Sequence, residues 1–96
     1  MLLDELRQES DDICSRYRLR RLAIFGSVAR REERTGSDLD VAVEFDGDDI
    51  LFDRYMDLKH ELETRFLRSV DLVTLPSVRN HIFRTVLERE MVALRG

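Results

Sequence analysis

The chain is 96 residues long, 43% hydrophobic and 38% charged, with a net charge of −4; this suits one folded domain over residues 1–96 and leaves no room for a separate substrate domain. The negative balance speaks against broad attraction to nucleic acid or to an anionic membrane surface, so any phosphate contact must be local. No apolar stretch approaches the roughly 20 residues needed to cross a bilayer, the start lacks a basic flank and an apolar export core, and the single cysteine, Cys14, excludes an internal disulfide. A cytoplasmic location is expected, with no membrane partner and no direct nucleic-acid binding.

Leu2, Leu6, Ile13 and Tyr17 fall near helical spacing, so residues 2–17 are expected to form an amphipathic helix that covers one side of a sheet. Leu22 to Phe25 is a short apolar run ending at Gly26-Ser27, the pattern of a buried strand entering a turn, and a short helix through Ala29 and Arg30 follows. Thr35-Gly36-Ser37 breaks the chain ahead of Leu39, Val41, Val43 and Phe45, which alternate with Asp38, Asp40, Ala42 and Glu44 in the two-residue period of a strand. Beyond the acidic loop around Gly47, residues Leu51, Tyr55, Leu58, Leu62 and Phe66 mark a helix of about four turns. Val70 to Leu75 is a third strand, ended by Pro76, and Ser77 is placed to cap a last helix bearing Val78, Ile82, Val86 and Leu87. Met91 to Leu94 fit either an extension of that helix or a short edge strand. Strands are too few for a doubly wound sheet; the expected class is α/β (α+β), a small mixed β-sheet backed by helices.

Charge is unevenly spread. Residues 16–36 carry seven arginines against two glutamates, and residues 37–57 carry eight carboxylates against one arginine. Most of these charges are expected to form a solvated, ion-paired surface, with the arginines from Arg16 to Arg21 paired inside the chain.

The chemistry-bearing exceptions are carboxylates in strand contexts. Asp38 and Asp40 lie two apart, so their side chains project from one face while Leu39 points to the other. Two like charges held that close repel unless a divalent cation such as Mg²⁺ or a basic group offsets them. Asp71, between Val70 and Leu72, would need the same partner if its strand lies inside the sheet. If the two strands are neighbours, three carboxylates converge, enough to hold metal ions that activate an attacking oxygen and stabilise a leaving one. Gly26-Ser27 lies where a strand turns into a helix: the glycine admits close approach, free amides and the Ser27 hydroxyl can bind phosphate oxygens, and Arg30 reaches the same anion.

Gly26-Ser27, ten intervening residues, Asp38-Leu39-Asp40, and then Asp71 within Val70-Asp71-Leu72-Val73 together resemble the signature of the polymerase-β-like nucleotidyltransferases. The wording Phe25-Gly26-Ser27-Val28-Ala29-Arg30 and Gly36-Ser37-Asp38-Leu39-Asp40-Val41-Ala42-Val43 is most similar to the minimal nucleotidyltransferases, antitoxin partners of HEPN ribonuclease toxins. The resemblance implies the polymerase-β-like fold and a Mg²⁺-dependent transfer of AMP from ATP to a hydroxyl, that of a tyrosine on the toxin. It also implies that Asp38, Asp40 and Asp71 are the catalytic and metal-binding residues, with Asp71 helping to activate the acceptor oxygen. Two other readings stay open: an antitoxin that neutralises by binding alone, and a nucleotidyltransferase acting on RNA or a small molecule.

Other residues are expected to be structural. His60 and His81 have no second ligand at metal-binding spacing. Arg54 and His60 echo the Arg-to-His spacing of HEPN ribonucleases but belong to the connecting helix. Phe52, Tyr55, Phe66 and Phe83 are expected in the core or at an interface.

Overall fold

The computed structural model describes residues 2–47, 49–75 and 81–95. Eight elements follow one another: α1 (Leu2–Tyr17), β1 (Leu19–Phe25), α2 (Gly26–Ala29), β2 (Leu39–Phe45), α3 (Leu51–Phe66), β3 (Val70–Thr74), α4 (His81–Glu90) and β4 (Val92–Arg95). The expected Pro76 stop, the Ser77 cap and Val78 lie outside the described residues. The strands form one mixed sheet in the order β3-β2-β1-β4, with β2 and β3 parallel and β1 antiparallel to both β2 and β4.

β1 begins three residues before the apolar run that marks it in the sequence. Leu19 pairs with Phe45 and Arg21 with Glu44, so one extra residue bulges out at Arg20 and breaks the two-residue alternation. At the other end of the chain the alternatives resolve to a strand: Ala23 pairs with Ala93 and Ile24 with Val92, so β4 lies along the free side of β1.

Each face of the sheet has its own core. On one, Leu22, Ile24, Leu39, Val41, Val43, Val70 and Leu72 pack against Leu3, Leu6 and Ile13 of α1 and Leu58 and Leu62 of α3. On the other, Ala23 and Ala42 meet Leu75 and the Leu87 side chain of α4, with Phe25 and Met91 at the margin. β2 is therefore covered on both sides, and Val41 and Ala42 are both buried although their side chains point in opposite directions. Among the described residues the last helix buries only Leu87 of its expected apolar stripe; Ile82 and Val86 are exposed, as are Phe52 and Phe83, so neither phenylalanine is a core residue.

Ion pairs organise the surface as expected. Arg18 meets Asp49 at 2.8 Å, Arg20 meets Asp46 at 2.9 Å and Arg21 meets Glu88 at 3.9 Å. Glu61 of α3 accepts hydrogen bonds from Arg16 of α1 and from the Tyr17 hydroxyl, the latter at 2.7 Å. The Arg16 guanidinium holds the Glu61 carboxyl below its usual range, while burial and then Glu61 push the Tyr17 phenol up to about 12. Exposed pairs of this kind contribute at most ~1 kcal/mol each, whereas each fully buried leucine contributes about 1.5–3 kcal/mol. The helices are thus held on the sheet by their leucines and aligned by their charges. Cys14 lies in the same core, where burial pushes its thiol up, as suits an inert helix residue.

Arg54, in the connecting helix, departs from the ordinary helix residue its sequence context describes. It is 6% exposed. Its Nη2 donates to the carbonyls of Tyr17 (3.1 Å), Arg18 (3.0 Å) and Asp46 (2.9 Å), and its Nη1 to those of Gly47 (3.3 Å) and Asp49 (3.2 Å). The guanidinium also lies over the Phe45 ring, 4.9 Å from its centre. One side chain therefore gathers the end of α1, the turn into β1 and the loop after β2.

Candidate active site

The site forms where the β1–α2 turn meets the starts of β2 and β3. Asp40 is the second residue of β2; in the ladder it faces Phe25 of β1 on one side and Asp71 of β3 on the other. In-register partners on neighbouring strands send their side chains to the same face, so the Asp40 and Asp71 carboxylates stand side by side on the face opposite α1 and α3. Asp38 lies one residue ahead of β2, outside the ladder, and is exposed.

Electrostatics agree with this placement. The Asp40 carboxyl is raised above its ordinary value, first by burial, then by the charges of Asp71 and Asp38, with Arg30 opposing them. The other three sequence-selected charges, Asp71, Asp38 and Arg30, therefore all reach Asp40. The argument that Asp71 needs a partner because its strand lies inside the sheet does not hold: β3 is an edge strand and Asp71 is exposed. Its place beside Asp40 comes from register.

The turn supplies the second half of the site. Gly26 adopts φ +71°, and a Cβ there would collide with Asp40 Oδ2 and come within 3.0 Å of Asp40 Cγ. Only a residue without a side chain lets the backbone close over that carboxylate. α2 is a single turn, with the Arg30 amide donating to the Gly26 carbonyl at 3.2 Å and the Glu32 amide to the Ser27 carbonyl at 2.8 Å. The amides that open so short a helix have no partner within it. Arg30 follows on the surface, its Nε 3.2 Å from Glu32 Oε2. Gly26→Ala is expected to lower nucleotidyl transfer at least tenfold and to cost about 1–2 kcal/mol of stability from the left-handed backbone, read by activity assay and thermal melting. Activity within twofold of wild type would show that the Asp40 carboxylate does not need this approach.

A divalent cation suits this donor set chemically: hard carboxylate oxygens, one of them already burdened by its neighbours' charge. Among the described residues no three His, Cys, Asp or Glu side chains are gathered tightly enough to hold an ion unaided. The backbone register is what brings Asp40 and Asp71 together.

Four further residues support the site, and of these only Ser37 falls within the wording that carries the resemblance. β3 is an edge strand whose outward Val70 amide and Leu72 carbonyl flank Asp71; Glu63 Oε2 accepts from the first at 3.0 Å and the Tyr55 hydroxyl donates to the second at 2.7 Å. Two α3 side chains, eight residues apart on one helix face, thus pin the backbone on either side of Asp71. Ser37 Oγ accepts from the Arg34 amide at 2.8 Å, and Arg68 Nη1 donates to the Ser37 carbonyl at 3.0 Å.

The family model described as polymerase beta, nucleotidyltransferase, matches residues 8–94. The chain belongs to that nucleotidyltransferase family. A Methanocaldococcus jannaschii protein provisionally named a protein adenylyltransferase is 33% identical over 91% of this chain and 88% of its own length. A solved structure provisionally described as a minimal nucleotidyltransferase is 32% identical with a TM-score of 0.80, covering 95% of this chain and 91% of that one. A structure of tri-AMPylated Shewanella oneidensis HEPN toxin in complex with MNT antitoxin matches in fold, with a TM-score of 0.67 at 22% identity over 97% of this chain and 71% of that one. The nucleotidyltransferase therefore has the small mixed sheet and helices of the polymerase-β-like fold.

Proposed function

We propose that this nucleotidyltransferase is an antitoxin that transfers AMP from ATP, with Mg²⁺, to a tyrosine hydroxyl of a HEPN ribonuclease toxin and thereby neutralises it. The observation that carries the reading is the in-register Asp40–Asp71 pair under the Gly26 turn. It is supported by the adenylyltransferase name of the M. jannaschii relative and by the AMPylated toxin in the fold-related complex.

Each residue then has a task set by its position. Asp38 and Asp40 are the metal-holding carboxylates; bound Mg²⁺ supplies charge neutralisation on the triphosphate and at the developing oxyanion. Gly26 and Ser27 present backbone amides and a hydroxyl to phosphate oxygens, and Arg30 adds a cation at the edge. Asp71, exposed on the same face, takes the proton from the acceptor hydroxyl as its oxygen bonds to the α-phosphorus. The bond to the bridging oxygen breaks on the opposite side and pyrophosphate leaves. The enzyme forms no covalent intermediate, so positioning and electrostatics do the catalytic work.

The test combines the protein with α-phosphate-labelled ATP, Mg²⁺ and the protein encoded by the neighbouring gene. Label is expected on that protein's tyrosine and is lost with Asp38→Ala. Label on RNA or a small molecule alone would overturn the protein acceptor. Full neutralisation by a chain carrying both Asp38→Ala and Asp40→Ala would replace catalysis with occlusion, for which exposed Ile82 and Phe52 offer apolar contact area.

A further inference from the structure

Asp38 is the one carboxylate of the three that the sheet does not hold. The β2–β3 ladder starts at Leu39 and Val70, so the position of Asp38 depends on the turn before it. That turn is closed on itself: the Ser37 amide donates to the Arg34 carbonyl at 2.9 Å, and the Arg34 amide donates to Ser37 Oγ at 2.8 Å, with Gly36 at φ +86° between them. A closed turn is rigid within itself but still needs an anchor to the sheet.

Arg68 supplies one. It stands two residues after α3 and three before Asp71, and its Nη1 donates to the carbonyls of Ser37 at 3.0 Å and Arg34 at 3.2 Å. The same segment contributes the Ser69 carbonyl, which accepts from the Leu39 amide at 2.9 Å. The chain that leads into Asp71 therefore grips the turn that leads into Asp38, by side chain on one residue and by backbone on the next. Hydrogen bonds from a charged donor are the stronger kind, and both acceptors are carbonyls whose direction fixes the peptide planes ahead of Asp38.

We propose that Arg68 is a positioning residue that fixes Asp38 against Asp40 and Asp71 and so sets the divalent-cation affinity of the site. The inference rests on reading those carboxylates as the metal site, and it adds a residue whose contacts are to main-chain carbonyls. Arg68 acts through the turn: without it the Asp38 backbone keeps its sequence but loses its fixed distance to the other two.

Mn²⁺ binding to the full chain in the presence of ATP, followed by electron paramagnetic resonance, tests this without an acceptor. Arg68→Ala is expected to weaken Mn²⁺ binding about tenfold, the scale for losing a residue that orients a metal ligand. Arg68→Lys, which keeps a donor but not the planar fork, is expected to recover part of the loss. Arg65→Ala serves as the comparison, since Arg65 pairs with Glu9 and Glu61 on the outer helices; it is expected to lower the melting temperature and leave Mn²⁺ affinity unchanged. Equal Mn²⁺ affinity in wild type and Arg68→Ala overturns the positioning role alone, as does a loss that Arg65→Ala reproduces. Absence of Mn²⁺ binding by the wild type overturns the metal site itself and this inference with it.

Discussion

Asp40→Asn is expected to abolish nucleotidyl transfer and, in the absence of divalent cation, to make the protein more heat-stable. On the proposed function, the loss follows from removing the best-placed of the carboxylates assigned to the cation: cation stabilisation of a transferring phosphoryl group amounts to several kcal/mol, and at about 1.36 kcal/mol per decade this is roughly a thousandfold in rate. The gain in stability follows from the raised Asp40 carboxyl, whose ionised form is disfavoured by burial, Asp71 and Asp38. A carboxylate with a raised folded-state pKa opposes folding wherever it is ionised. Asp40 is neutral in both states below the ordinary carboxylate range, so wild type and variant should converge there; the difference should open as pH rises from the ordinary value towards the raised one, be complete above it and persist at neutrality. Solvent screening at this half-buried position keeps the gain to a few degrees. Melting curves across pH, with and without Mg²⁺, check both parts. Added cation should reverse the order by stabilising only the wild type, and a variant that melts lower than wild type at neutral pH without metal would sink the electrostatic account.

Arg54→Ala is expected to be strongly destabilising, by about 3 kcal/mol, on the scale of truncating a fully buried core leucine. The variant removes the guanidinium that five carbonyls share, of which that of Arg18 keeps the Asp46 amide as a donor, in a partly buried loop where hydrogen bonds to a charged donor are worth about 1.5–3 kcal/mol each and some are regained from water. It also releases Arg18, held at φ 53°, and the loop before Ile50, at φ 46°, two non-glycine residues in the left-handed region that persist only while their surroundings enforce it. For a domain of this size such a loss is a large part of the total stability, and it corresponds to a fall in melting temperature of roughly 12–24 °C. Urea denaturation measures it directly. Arg54→Lys should rescue little, because an ammonium cannot reach both sides of the fork at once. A loss below about 1 kcal/mol would mean that water replaces the guanidinium.

What the sequence made legible is what local pattern can carry. α1, β2, α3 and β3 stand where their periods place them, because each turns a repeating apolar face to the core, although the first residue of the α3 stripe, Leu51, is exposed. β1 was truncated by a bulge that no single-strand pattern encodes, and β4 was undecidable because four residues satisfy a strand and a helix end equally; its state comes from pairing with β1, seventy residues earlier. Spacing marks the aspartates, but whether Asp71 meets Asp40 is a matter of which strands are neighbours, and the condition on which burial would demand a partner for Asp71 is not met, because β3 is an edge strand. Arg54, Tyr55, Glu63 and Arg68 carry no motif. Their partners are main-chain groups, at which any residue type can stand, so only the folded arrangement identifies them.

The brace from α3 onto β3 also bears on how copies of this protein behave when crowded. An uncovered sheet margin is a template on which foreign chains can add and grow into fibres, and here the Tyr55 and Glu63 side chains occupy the very groups such an addition would need on the β3 flank. The opposite flank is β4, only four residues long and closed by the cation of Arg95, which makes it a poor starting point for runaway growth. The helix that steadies a carboxylate thereby also guards the molecule against polymerising through its longest exposed border.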